Sequence, residues 1–126
     1  MPALKVLIVE DSRATRELLA SAVSSLGEVE IHTAQSGFEA LKLLPRHRFA
    51  LIITDLNMPD INGLELINFV KKNPHYRETP LVVVTSAGRA QDRARGLQLG
   101  ANEYLVKPFE PEDIAALARR YLAFED

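Results

Sequence analysis

Short runs of aliphatic and β-branched residues recur along this chain, separated by stretches long enough for one helix each, and that alternation restricts the fold more than any other feature. LKVLIV (4–9), FALIIT (49–54) and PLVVVT (80–85) are continuous apolar runs of strand length, as expected of strands buried on both faces. VEIHTA (29–34) alternates apolar with polar and predicts a half-exposed edge strand. EYLV (103–106) is a weaker fifth strand. Helical periodicity fills the gaps. Leu18, Leu19, Ala22, Val23 and Leu26 share one face after Asp11-Ser12, and Gly27 follows as a helix terminator. Ser36-Gly37-Phe38-Glu39 has capping-box spacing, with Phe38, Leu41 and Leu44 behind it. Leu64, Ile67, Phe69 and Val70 mark a third helix, and Arg89 to Leu99 a fourth, closed by Gly100. Pro111 suits the first turn of a fifth, which carries Ile114, Leu117, Ala118 and Tyr121. Phe38, Phe49 and Phe69 fall in apolar periodicity and are expected in the core. Five strand–helix units linked by right-handed crossovers make an α/β fold, a doubly wound parallel sheet with helices on both faces.

At 126 residues the chain fits one domain spanning 1–126. A net charge of -2 without a basic block argues against nucleic-acid and anionic-membrane surfaces. The absence of cysteine excludes disulfides, thiolate metal sites and thiol nucleophiles, and suits a reducing cytoplasm. Met1-Pro2-Ala3-Leu4-Lys5 runs straight into the first strand without signal-peptide form, and no apolar run approaches the ~18 residues of a membrane span. A cytoplasmic protein is expected. His32, His47 and His75 lack i,i+4 spacing and cysteine company, so surface or edge positions are expected of them rather than a metal site. Arg89, Arg93 and Arg95 read as the solvated face of the fourth helix, and Ser12 and Ser86 lack the glycines of a nucleophile elbow.

In a sheet of this kind the site lies beyond the carboxyl ends of the strands. Glu10 and Asp11 follow the first strand, Asp55 the third and Lys107-Pro108 the fifth, while Thr85 closes the fourth. Three carboxylates, a hydroxyl and an ammonium should therefore share one rim. Two carboxylates ~4 Å apart repel by about 4 kcal/mol at an effective dielectric of ~20, before screening. A cation among them relieves this, and an oxygen-only ligand set favours Mg²⁺.

The segments VLIVEDS (6–12), ITDLNMPDINGLEL (53–66), VVVTSAG (82–88) and LGANEYLVKPF (99–109) resemble the receiver domain of bacterial two-component response regulators, above all the stand-alone chemotaxis type. The resemblance spans essentially the whole chain in the family's order and spacing. It implies a flavodoxin-like sheet of order 2-1-3-4-5 flanked by five helices. It also implies that Glu10 and Asp11 bind Mg²⁺, that Asp55 is both phosphoacceptor and metal ligand, and that Asn57 lends the metal its backbone carbonyl. Thr85 matches the switch hydroxyl, Lys107 the ammonium that neutralises a phosphoryl oxygen, and Tyr104 the aromatic that reorients with Thr85. Pro108 matches a proline preceded by a cis peptide, which fixes the loop of Lys107. The implied donor is a histidine kinase or phosphotransfer protein, since the chain has no nucleotide-binding loop. The implied target protein docks on the fourth helix, fifth strand and fifth helix. Asn57 and Ala87 stand where they would influence the phosphate lifetime.

Such a chain is a phosphorylation switch and not a turnover enzyme. A haloacid-dehalogenase-type phosphohydrolase wants a second acid two residues beyond its nucleophile, where Asn57 stands. A degenerate receiver is opposed by the intact Glu10, Asp11, Asp55, Thr85 and Lys107. A flavodoxin-like cofactor carrier would need a glycine-rich phosphate loop after the first strand. The chain stops just after the fifth helix. That fits a complete regulator, a phosphorelay intermediate or a piece of a longer protein, with Met1 favouring a natural start.

Overall fold

The computed structural model describes residues 4–86 and 90–122. Strands β1 (Leu4–Val9), β2 (Val29–Ala34), β3 (Leu51–Thr54), β4 (Leu81–Thr85) and β5 (Glu103–Val106) alternate with helices α1 (Arg13–Ser24), α2 (Gly37–Leu43), α3 (Gly63–Lys72), α4 (Ala90–Leu99) and α5 (Pro111–Leu122). The sheet is wholly parallel, in the order β2-β1-β3-β4-β5. The doubly wound architecture and strand order are those expected.

Alternation along each strand divides the interior into two cores. Leu7, Val9, Ile52, Leu81 and Val83 face α2 and α3, meeting Ala40, Leu66, Ile67 and Val70. Val6, Ile8, Ile53, Val82 and Val84 face α1 and α5, meeting Leu19, Val23, Ile114 and Ala118. The central strands are buried on both faces, whereas β2 is largely half-buried, as its alternating sequence foretells.

The helix ends follow their local signals. Ser12 caps α1 by accepting from the Thr15 N–H, and Ser36 caps α2 by accepting from that of Glu39. Glu39 reaches back one residue further than a capping box requires, to the N–H of Gln35 at 3.4 Å. Gly27 and Gly100 end their helices at φ 148° and 117°, in the left-handed region that side chains avoid.

Two aromatic expectations fail. Phe49 is in the core at 6% exposure, but Phe38 is 56% and Phe69 43% exposed. In α2 the buried positions are Gly37 and Ala40, a stripe continued by Leu44 in the following 3-10 turn (Leu44–Arg46), so Phe38 is turned outward. In α3 the buried stripe is Gly63, Leu66, Ile67 and Val70. Phe69 falls beside it and rests on the ring of Tyr76, centroids 6.2 Å apart. Leu66, not Phe69, is the core residue of that turn. Arg89 lies outside the described residues, while Arg93 and Arg95 are exposed as expected.

Phe49→Ala is expected to cost about 3–5 kcal/mol. Phe38→Ala is expected to cost no more than about 0.5 kcal/mol. Urea unfolding measures both, and comparable losses would contradict the outward placement of Phe38.

Candidate functional site

Three residues stand one step beyond three strand ends, each pinned there by a backbone bond to the neighbouring strand. The Glu10 N–H donates to the carbonyl of Ala34 at 2.9 Å, Asp55 to Val9 at 3.0 Å, and Lys107 to Thr85 at 2.8 Å. The sheet ladder thus runs one residue past β1, β3 and β5, and the backbone of the site is as firmly held as the strands themselves.

The side chains converge. The Lys107 ammonium donates to Glu10 Oε1 at 2.9 Å and to Asp55 Oδ2 at 3.2 Å. Glu10 is fully buried and Asp55 only 4% exposed. The remaining oxygens are also engaged. The Ser12 N–H donates to Glu10 Oε2 at 3.1 Å, and the Asn57 N–H to Asp55 Oδ1 at 3.1 Å. Burial pushes the Glu10 carboxyl above its ordinary value, and the Asp55 charge adds to this, against the Lys107 and Ser12 hydrogen bonds. Burial works the other way on Lys107, but the Glu10 hydrogen bond and the Asp55 charge outweigh it and hold the ammonium above its ordinary range.

Asp11 is exposed, yet one oxygen each from Glu10, Asp11 and Asp55 fall within 4.8 Å of one another. This set fits a hard divalent cation: carboxylate oxygens, one of them open to solvent, with Lys107 as the one ammonium bonded to them among the described residues. Asn57 adjoins through its backbone. Thr85 is buried at the end of β4, opposite Val106 in the register. Tyr104 is half-buried on the core beneath α3, and a side chain at Gly96 of α4 would meet its ring at 3.8 Å. Burial raises its hydroxyl pKa, with Asp92 and Asp55 adding to the effect. The Lys107–Pro108 peptide is cis. Ala87 lies outside the described residues.

Three positioning residues carried no signal strong enough to single them out in the sequence. Arg16 donates from Nη1 to the carbonyls of Glu10, at 2.9 Å, and Asp11, at 3.3 Å, fastening the acidic turn to α1. Gly63 brings α3 against the Asp55 segment: a Cβ there would lie 2.5 Å from both the Asp55 carbonyl oxygen and the Leu56 Cα. Asp60 accepts from the N–H groups of Gly37 at 3.0 Å, Phe38 at 2.9 Å and Ile61 at 2.7 Å, clamping the β3–α3 loop onto the first turn of α2. Burial pulls the Asp60 carboxyl upward, but its bonds from Phe38, Ile61, Gly37 and Ser36 outweigh this and lower it to about 2.

Residues 6–119 match the response regulator receiver domain. The chain is 36% identical over 110 residues to a chemotaxis protein CheY homolog of Campylobacter jejuni, covering 86% of this chain and 85% of that one. The fold is similar to that of the chemotaxis response regulator CheY4 of Vibrio cholerae, at a TM-score of 0.87 and 34% identity over 96% of this chain and 100% of the other. It is also similar to the Mn(2+)-bound form of response regulator Rcp1, at a TM-score of 0.83 and 27% identity over 96% and 93% of the two chains.

Lys107→Met would leave Glu10 and Asp55 facing each other without their cation. We expect a loss of about 2–3 kcal/mol in urea unfolding without divalent metal, partly restored by adding Glu10→Gln. An unchanged midpoint would show that the ammonium does not hold the rim together.

Asp60 has a depressed folded pKa, so its contribution to stability is complete above the unfolded value of 3.8 and is lost as pH falls towards about 2. Asp60→Asn is expected to melt several degrees below wild type near neutral pH, the gap narrowing steadily through that acid window. A gap that stays constant in thermal unfolding down to about pH 2 would contradict the clamp.

Proposed function

The chain belongs to the response regulator receiver family, and on that premise we propose that Asp55 accepts a phosphoryl group from the phosphohistidine of a histidine kinase or phosphotransfer protein. The observation that carries this reading is the Lys107 ammonium bridging Asp55 and Glu10, with Asp11 in reach of the same point. Glu10, Asp11 and Asp55, with the backbone carbonyl of Asn57, would hold Mg²⁺. Bound there, the metal supplies positive charge to the phosphoryl oxygens in transfer.

The chain's own residues do the rest. An Asp55 carboxylate oxygen forms the new P–O bond as the P–N bond to the donor imidazole breaks, and the imidazole leaves with the electron pair. The bond from the Asn57 N–H fixes the rotation of the carboxylate, so the nucleophile needs no further ordering. Lys107, already on Asp55, follows the charge onto a phosphoryl oxygen, and the Thr85 hydroxyl donates to another.

The switch follows from that last contact. Thr85 lies on β4 beside β5, which carries Tyr104 and leads directly into Lys107. A shift of Thr85 towards Asp55 changes the space open to the Tyr104 ring and so the surface of α4, β5 and α5, where a target protein would dock. A change from 1:99 to 99:1 needs about 5.5 kcal/mol of differential stabilisation. Charge-assisted hydrogen bonds of about 1.5–3 kcal/mol each bring a large part of that within reach. The protein would act in the cytoplasm, with 1–126 as the receiver unit.

With Mg²⁺ and acetyl phosphate, we expect one phosphoryl group per chain, labile to hydroxylamine and abolished in Asp55→Asn. Full labelling of that variant, read by mass spectrometry, would move the acceptor elsewhere. Thr85→Ala should still accept the phosphoryl group. Beryllofluoride with Mg²⁺ should then shift the NMR signals of Tyr104 and Lys107 in wild type, but leave Tyr104 unmoved in Thr85→Ala.

A further inference from the structure

Surface or edge positions rather than a metal site are expected of His32, His47 and His75, yet two of them meet. His32 lies on the edge strand β2 and His47 in the loop before β3, and their rings are in contact, tilted by 38° with centroids 4.0 Å apart. Glu30, two positions before His32 and therefore on the same face of the strand, brings Oε2 to 2.6 Å from His32 Nε2. One ligand atom each from Glu30, His32 and His47 fall within 4.8 Å of one another. Glu30 is the second residue of β2 and His47 precedes β3, so this cluster sits towards the amino ends of the strands. The acidic rim at their carboxyl ends is a separate feature.

We propose that Glu30, His32 and His47 form a second metal site, selective for a borderline divalent cation of the zinc class. Two imidazoles and one carboxylate are a donor set that zinc takes up readily, with a fourth position for water. Of the three, His47 also lines an open cavity of about 690 Å³ with Lys5, Phe49 and Tyr76. Mg²⁺ prefers an all-oxygen shell, so the two clusters sort different metals.

Two of the three donors, His47 and Glu30, are biased towards the forms that bind a metal. Burial lowers the pKa of His47, and the charges of His32 and Lys5 lower it further, so its ring is neutral near neutral pH. The His32 hydrogen bond lowers that of Glu30, which is ionised. A cation already sits here. Lys5, opposite Glu30 in the register, holds its ammonium 3.2 Å from His47 Nδ1 and 3.8 Å from Glu30 Oε2. Zinc would displace this ammonium intact into solvent, and each ring would carry its proton on the nitrogen facing away from the metal. Lys5 and Arg46 oppose the incoming charge, which keeps the affinity modest and makes Lys5 its main brake.

The test is zinc chloride titrated into the full chain in excess Mg²⁺, followed by calorimetry and by NMR of the imidazole rings. One equivalent should bind, moving the ring signals of His32 and His47 but not those of His75. His47→Ala should weaken binding at least about tenfold, as two ligands hold zinc poorly. Lys5→Met should strengthen it by about tenfold or more, through loss of a like charge about 4 Å away. Asp55→Asn should change nothing. Ring signals that ignore zinc, equal binding by wild type and His47→Ala, or binding lost in Asp55→Asn would each overturn the site.

Discussion

A single ammonium between two buried carboxylates is the interaction on which the rest of this site depends. Glu10 and Asp55 are almost fully withdrawn from water on adjacent strands, and Lys107 lies between their side chains. Without it, two like charges would face each other with little solvent to screen them. The cation comes from the far edge of the sheet, because the ladder bond to Thr85 carries the chain inward just after β5 ends. The acids therefore require the fifth strand in place, and the fold and the site are conditions of each other.

The same economy governs the loop after β3. It must hold Asp55 steady, yet it has little regular structure between Asp55 and the start of α3. Order is imposed from outside, by Gly63 pressed on the Asp55 backbone and by Asp60 capping a helix from another part of the chain. A bonded loop of this kind keeps the nucleophile oriented while Asn57 and its neighbours stay open to solvent.

The architecture and the gathering of the acids at one rim were legible in the sequence for a physical reason. Parallel strands buried on both faces read as uninterrupted apolar runs, and such sheets place their chemistry beyond the carboxyl ends. Glu10, Asp11, Asp55 and Lys107 are local to those ends and were found. What escaped depends on approach between segments distant in sequence. No periodicity announces that the backbone at Gly63 must touch that of Leu56, or that Asp60 reaches α2. The rings of His32 and His47 meet only because the segment between the 3-10 turn and β3 brings His47 beside β2. Phe38 and Phe69 were misplaced because a short helix can bury only one narrow stripe, and small residues such as Gly37 and Ala40 already occupy it in α2. Hydrophobicity alone does not distinguish a ring on that stripe from one beside it.

The Asp60 clamp also shapes how the molecule breathes. A helix of seven residues is too short to persist in water by itself, and α2 owes part of its first turn to a carboxylate borrowed from the loop beside Asp55. The amides of Gly37 and Phe38 are shielded from exchange with solvent only while that loop is closed. Fraying of α2 and opening of the loop are then one cooperative event with one free energy. A disturbance at the acidic rim would be felt at α2, on the side of the sheet away from β5, as a change in how often that helix comes undone.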